Sequence, residues 1–172
     1  MIKASVPSLS LKPVKFLVIG LISSLTVFSV VAAVAQSRNL LKNGSFEQGM
    51  QNWDGPASVN GNYDCSGGSR RGNCYAWFED SNSESILQDF DGNFSGKYRA
   101  SVYVKGGSGS LAVWRWCGGQ PPKADSVNFD SSSSWKRVTV DTNPQGCNKI
   151  RFEVYLTGNI NRLDDASLYP IF

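Results

Sequence analysis

The sequence predicts an all-β domain, a sandwich or barrel, over residues 36–172. Three observations carry this. Apolar runs are short, and Gly, Ser, Asn and Asp punctuate them. Two runs, Tyr98–Lys105 and Ile150–Leu156, alternate apolar and polar residues with the two-residue period of a half-buried strand. No stretch shows helical periodicity of useful length.

Residues 1–35 read as a secretory signal peptide. Lys12 and Lys15 precede an apolar run from Phe16 to Val34, and Ala33-Val34-Ala35 offers a cleavage site before Gln36. The apolar run is nearly long enough to span a bilayer, so an uncleaved anchor is the alternative. The Ser-rich middle and the small residues at its end favour cleavage. The mature protein is then secreted, with no hold on the membrane. The formal charge of +3 comes from Lys3, Lys12 and Lys15 in this segment, which contains no acid; the rest is formally neutral. A neutral domain without a clustered basic face argues against a nucleic-acid partner. There is no His, which excludes Ser-His-Asp and Cys-His catalysis and His-ligated metals.

About eight strands are readable: Asn39–Asn43, Cys74–Glu79, Ser85–Phe90, Tyr98–Lys105, Leu111–Cys117, Trp135–Asp141, Ile150–Leu156 and Leu163–Tyr169. In Tyr98–Lys105, Tyr98, Ala100, Val102 and Val104 share the core face, while Arg99, Ser101, Tyr103 and Lys105 share the other. In Ile150–Leu156, Ile150, Phe152, Val154 and Leu156 point inward, and Arg151, Glu153 and Tyr155 outward. If Leu111 and Val113 are core, Trp114 and Trp116 are displayed; a bulge would reverse part of this.

Four cysteines in an exported chain imply disulfides. Three connectivities are possible. We favour Cys65–Cys74, which closes a short Gly-rich loop, and Cys117–Cys147, which ties a strand end to the turn before Ile150. A zinc site is the rival, but no Cys-x-x-Cys spacing is present.

The two ends of the domain carry a resemblance. Asn39-Leu40-Leu41-Lys42-Asn43-Gly44-Ser45-Phe46-Glu47 is followed by Trp53, and the chain closes on Leu163-Asp164-Asp165-Ala166-Ser167-Leu168-Tyr169. These strings resemble the first and last strands of the carbohydrate-binding modules appended to cellulases, xylanases and laminarinases. The resemblance covers roughly residues 39–169. It implies a galactose-binding-like jelly-roll β-sandwich that binds a glycan chain in a cleft across one sheet. It also implies a structural Ca²⁺ between the first and last strands, with Glu47 and Asp164 as ligands; hard oxygen donors suit that ion. The middle departs from the pattern. Phe94-Ser95-Gly96-Lys97-Tyr98 replaces a Pro-Gly-x-x-Tyr approach, and the Cys65–Cys74 loop looks like an insertion.

The aromatic residues complete the reading. Trp53 and Trp135 are read as packing. Tyr103, Tyr155, Trp114 and Trp116 pattern on polar faces with Arg99 and Arg151. A flat ring stacks on the C–H face of a pyranose, and a neighbouring Arg hydrogen-bonds its hydroxyls. These six are the expected carbohydrate-binding residues of a monomeric, non-catalytic protein. Two alternatives stand: a structural or adhesive surface protein with the same fold and no sugar site, and an enzyme acting on glycosidic bonds, which needs a carboxylate pair across the sugar.

Overall fold

The computed structural model describes residues 38–172; the segment read as a signal peptide lies outside them. In chain order the elements are α1 (Pro56–Asn60), β1 (Asn62–Asp64), β2 (Tyr75–Asp91), β3 (Lys97–Trp116), β4 (Lys123–Phe129), β5 (Ser132–Thr142) and β6 (Lys149–Ile171). The strands pair antiparallel in the order β1-β2-β6-β3-β4, and β5 pairs with β3.

Three strands are long enough to serve two layers. β2 has 17 residues, β3 has 20 and β6 has 23. The first half of β3 lies between β5 and the second half of β6; we call this the β5 layer. The second half of β3 lies between β4 and the first half of β6, forming the β4 layer. Register shifts mark the passage: Asn82/Glu84 in β2 and Gly106/Ser108 in β3. Gly106 shows why the chain turns there. Its φ of 105° is open to glycine, and a Cβ would strike the carbonyl oxygen of Ile160.

This explains how the strand expectations map. To within a residue or so, Cys74–Glu79 and Ser85–Phe90 are two halves of β2. Tyr98–Lys105 and Leu111–Cys117 are halves of β3, and Ile150–Leu156 and Leu163–Tyr169 are halves of β6. β1, β4 and the single turn α1 were not anticipated. They are short or polar, and carry little periodicity.

The Gly106/Ser108 shift also settles the faces. Ala100, Val102 and Val104 are buried before it, and Leu111 and Val113 after it, so the inward side passes from even to odd residues. Ile150, Phe152, Val154 and Leu156 are all fully buried, as their alternation predicted. The inner faces of both layers meet in one apolar cluster.

The expected strand Asn39–Asn43 is not a strand. Asn43 and Phe46 take positive φ, 50° and 55°, so the chain turns at once. It docks on β6 instead through the Asn39 side chain and two isolated main-chain bonds. The Asn39 Oδ1 accepts from the Leu168 amide at 2.8 Å, Leu40 N–H donates to the Leu168 carbonyl at 2.9 Å, and Ala166 N–H donates to the Gly44 carbonyl at 2.8 Å. Gly44 has no room for a Cβ, which would meet the Ala166 carbonyl oxygen. Phe46 is fully buried and stacks on Trp53 at 5.1 Å, and Trp53 meets Phe152 edge-on at 5.9 Å, so Trp53 is a core lid as read.

Candidate functional site

Register decides which outward side chains become neighbours. On the outer face of the β4 layer, Trp114 lies beside Arg151, Trp116 beside Lys149, and Tyr155 between Ser110 and Ser85. Asp89 of β2 lies beside Arg151. Trp114 and Trp116 are two residues apart on one strand, so their Cα atoms stand about 7 Å apart along it.

Hydrogen bonds fix these groups. Trp114 Nε1 donates to the Tyr155 hydroxyl at 3.2 Å, and that hydroxyl donates to Glu153 Oε2 at 2.9 Å. Ser85 donates to Glu153 Oε1 at 2.7 Å. Glu153 is buried beneath the half-exposed rings. Burial and the bond to Glu153 raise the Tyr155 pKa above its ordinary value. Arg151 grips Asp89 with two bonds, 2.7 and 3.0 Å, and Lys149 Nζ stands 2.9 Å from the same carboxylate. These bonds, Arg151 first, hold the Asp89 carboxyl below its usual range, and Asp89 in turn raises Arg151. Both cations also lie against the Trp116 ring, Lys149 at 5.1 Å and Arg151 at 5.6 Å.

The face is therefore a set of ring planes held from below, flanked by paired charges. The in-plane donors of Trp114 and Tyr155 are spent on holding position, and both residues stay half-exposed. Arg, Lys and Asp groups at the rim exchange hydrogen bonds readily with hydroxyls. This combination of apolar platform and placed polar groups is what a sugar-sized ligand requires.

The six expected residues do not form one row. Trp114, Trp116, Tyr155 and Arg151 share the β4-layer face. Tyr103 and Arg99 lie on the outer face of the β5 layer, because β3 passes from one layer to the other at Gly106–Ser108. There Arg99 is committed to its cross-strand neighbour Asp141, at 2.7 and 2.8 Å. Asp89, Lys149 and Ser85 were not singled out from the sequence. Their partnership with Arg151 and Glu153 depends on which strand flanks β6, which periodicity does not reveal.

The disulfides pair as favoured, Cys65–Cys74 and Cys117–Cys147. The first closes a loop that two carboxylates hold. Asp164 Oδ2 accepts from the amides of Arg70 and Arg71 at 2.6 and 2.9 Å, and its Oδ1 from Asp165 N–H at 2.6 Å. Glu47 Oε1 accepts from the amides of Asn73 and Cys74, both at 2.9 Å. These bonds, Cys74 first, lower the Glu47 pKa. Burial pushes the Asp164 carboxyl up, and the three amides offset it only in part. The sequence placed Asp164 on the apolar face by counting back from Leu168 and Ala166. That parity fails at Asp165, whose φ is 48°; Asp164 pairs with Tyr103 and lies under the loop.

Glu47 and Asp164 are the residues expected to hold Ca²⁺. Their arrangement does not fit that ion as it stands. Amide N–H groups already bond Glu47 Oε1 and both Asp164 oxygens, five bonds in all, which takes up most of the lone pairs a cation would use. Among the described residues, no three acidic, Cys or His side chains converge as a metal site.

Comparison with known proteins gives the fold. No family model matches the chain, and no curated protein does. Solved structures do match. A family 16 carbohydrate-binding module is similar over 76% of this chain and 99% of its own, with a TM-score of 0.64 and 14% identity. The chain has the carbohydrate-binding-module jelly-roll fold. The CBM22-1 xylan-binding domain from Paenibacillus barcinonensis is similar over 77% of this chain and 94% of its own, with a TM-score of 0.61 and 15% identity. The module TmCBM61, solved with β-1,4-galactotriose, is similar over 78% of this chain and all of its own, with a TM-score of 0.59 and 23% identity.

Proposed function

We propose that the protein is an exported, non-catalytic carbohydrate-binding protein that takes a polysaccharide or glycan on the outer face of the β4 layer. The observation that carries this is the braced platform: Trp114 held by Tyr155, Tyr155 by Glu153, and Glu153 by Ser85. Jelly-roll modules that bind sugars share the fold, and two disulfides suit an oxidising compartment. Because neighbours of this fold bind β-1,4-galactotriose and xylan, extended β-1,4-linked chains are the first ligands to try.

The carboxylates on this face support binding without cleavage. Glycoside hydrolysis needs one carboxyl with a raised pKa and a second free to attack or to activate water. Asp89 is lowered and doubly paired, and Glu153 is committed to Ser85 and Tyr155. Stacking contributes on the order of 1 kcal/mol per ring beyond buried area, so affinity is modest and grows with chain length. Affinity electrophoresis against soluble β-glucan, xylan and mannan tests this, with reducing-sugar release assayed alongside. Retardation that disappears in Trp114→Ala supports it. Release of reducing ends moves the answer to an enzyme, and no retardation by any glycan leaves the adhesive reading.

A further inference from the structure

We propose that the outer face of the β5 layer carries a second binding site, for an oxyanion borne on a saccharide, the carboxylate of a hexuronate being the best fit. It lies on different residues from the Trp114 platform and does not depend on that reading.

The argument begins with the Cys65–Cys74 loop. A disulfide and four amide bonds to Asp164 and Glu47 hold ten residues in place. Trp135 Nε1 adds a bond to the Gly68 carbonyl at 3.0 Å. So much restraint on an exposed Gly-rich loop fixes what it presents, and that is Arg70. Its guanidinium lies 4.4 Å from the centre of the Tyr103 ring and donates to the Tyr103 hydroxyl at 3.3 Å. A stacked guanidinium keeps its charge and its remaining donors turned outward.

A second guanidinium comes from the neighbouring strand. Arg137 is the cross-strand partner of Tyr103 and donates to Ser101 Oγ at 3.2 Å. Ser101 is buried and shares a hydrogen bond with Ser167 at 2.9 Å, giving a hydroxyl floor. Arg137, Tyr103, Ser101 and Ser167 line a cavity of about 220 Å³ together with Arg71, Asp165 and Tyr169. Of the three arginines here, Arg71 pairs with Asp165 at 3.8 Å; among the described residues neither the Arg70 nor the Arg137 guanidinium makes an ion pair. Contrast Arg99 further along this face and Arg151 on the β4 layer, each spent on an aspartate. Arg137 in the cavity wall and Arg70 stacked on Tyr103 at its edge make no ion pair of their own, and with the ring and two hydroxyls, on the side away from the Arg71–Asp165 pair, they suit a planar carboxylate on a sugar ring.

The test is titration calorimetry of the full chain with trigalacturonate, its methyl ester and inorganic sulfate. Binding is expected for trigalacturonate, weaker as salt rises, and absent for the ester. Arg137→Gln and Arg70→Gln are each expected to lower it about tenfold or more, since a hydrogen bond to a charged group is at stake. Binding should survive Trp114→Ala, which separates this site from the platform. Melting curves of both arginine variants should match the parent, because both side chains are exposed. Unchanged affinity in both variants overturns the proposal. So does loss of binding in Trp114→Ala alone, binding of sulfate without trigalacturonate, or no binding of any acidic probe.

Discussion

Trp114 and Tyr155 come from different strands, and one hydrogen bond of 3.2 Å joins the indole N–H of the first to the phenol oxygen of the second. Neither ring is fully buried, so packing alone does not fix them. The bond, relayed to buried Glu153, does. Tyr155→Phe keeps the ring but removes the relay. It is expected to weaken polysaccharide binding several-fold and to cost about 1 kcal/mol of stability, because a buried Glu153 oxygen loses its partner. Calorimetry and thermal melting check this together. Lost stability with unchanged affinity would mean that the bond serves the fold alone.

The same face should respond to acid. Asp89 has a folded pKa below its ordinary 3.8 because Arg151 and Lys149 stabilise the carboxylate. Between those two values the unfolded chain binds the proton and the folded chain does not, so stability rises with pH there. The contribution of Asp89 is present above the ordinary value and is lost as pH falls through the lowered one. Protonation frees Arg151 and Lys149 from their shared partner and loosens both beside Trp116. Glycan affinity is expected to be flat from about pH 7 down to the ordinary carboxylate range and to fall only as pH passes below it, through the lowered value. In Asp89→Asn the acid-side fall should be gone, with affinity already reduced at neutral pH. A profile identical to the parent's would remove Asp89 from the site.

Much of this was legible in the chain. Ile150–Leu156 and Tyr98–Lys105 announce both faces because one side of each is buried, Tyr98 alone only in part, and burial forces alternation. Of three possible cysteine pairings, the one favoured for its short Gly-rich loop is the one observed. What the sequence hid lies at the breaks in period. The shift at Gly106–Ser108 sends Tyr103 and Trp114, eleven residues apart on one strand, to different outer faces. The left-handed Asp165 moves Asp164 from the core side to beneath a loop. A break of one residue leaves the apolar count nearly unchanged, so periodicity passes over it.

The two disulfides should differ in worth. Their cysteines are separated by 9 and 30 residues. On the chain-entropy account, losing Cys65–Cys74 costs about 2.5–3 kcal/mol and losing Cys117–Cys147 about 3.5–4 kcal/mol. Cys74→Ser and Cys147→Ser, each paired with Ser at its partner, give the comparison by urea unfolding. The short-loop variant should also lose the placement of Arg70, and with it trigalacturonate binding, while retaining the fold. If removing the longer loop proves cheaper, the closure account does not govern this chain.

The last expectation concerns Asp164. Its carboxylate is fully buried, and its solvation is replaced by three backbone amides. Buried charge without compensation is costly, and two remedies are available. The resemblance at the chain ends supplies one, a calcium ion shared with Glu47. The Cys65–Cys74 loop supplies the other, amides from Arg70 and Arg71 on Asp164 and from Asn73 and Cys74 on Glu47. Because amide dipoles aimed at a carboxylate oppose a cation sharing it, the two remedies compete in this geometry. The amide arrangement leads us to expect that a chelator leaves the melting temperature unchanged and that elemental analysis finds no stoichiometric calcium. Asp164→Ala should cost about 1–3 kcal/mol with or without chelator, since amides lose their acceptor. A cation binding only the folded state would instead add about 2.7 kcal/mol at a hundredfold excess over its dissociation constant. A melting curve that falls on chelation and recovers with added calcium, a response missing in Asp164→Ala, would show that the loop opens to admit the ion and that the resemblance extends to the metal.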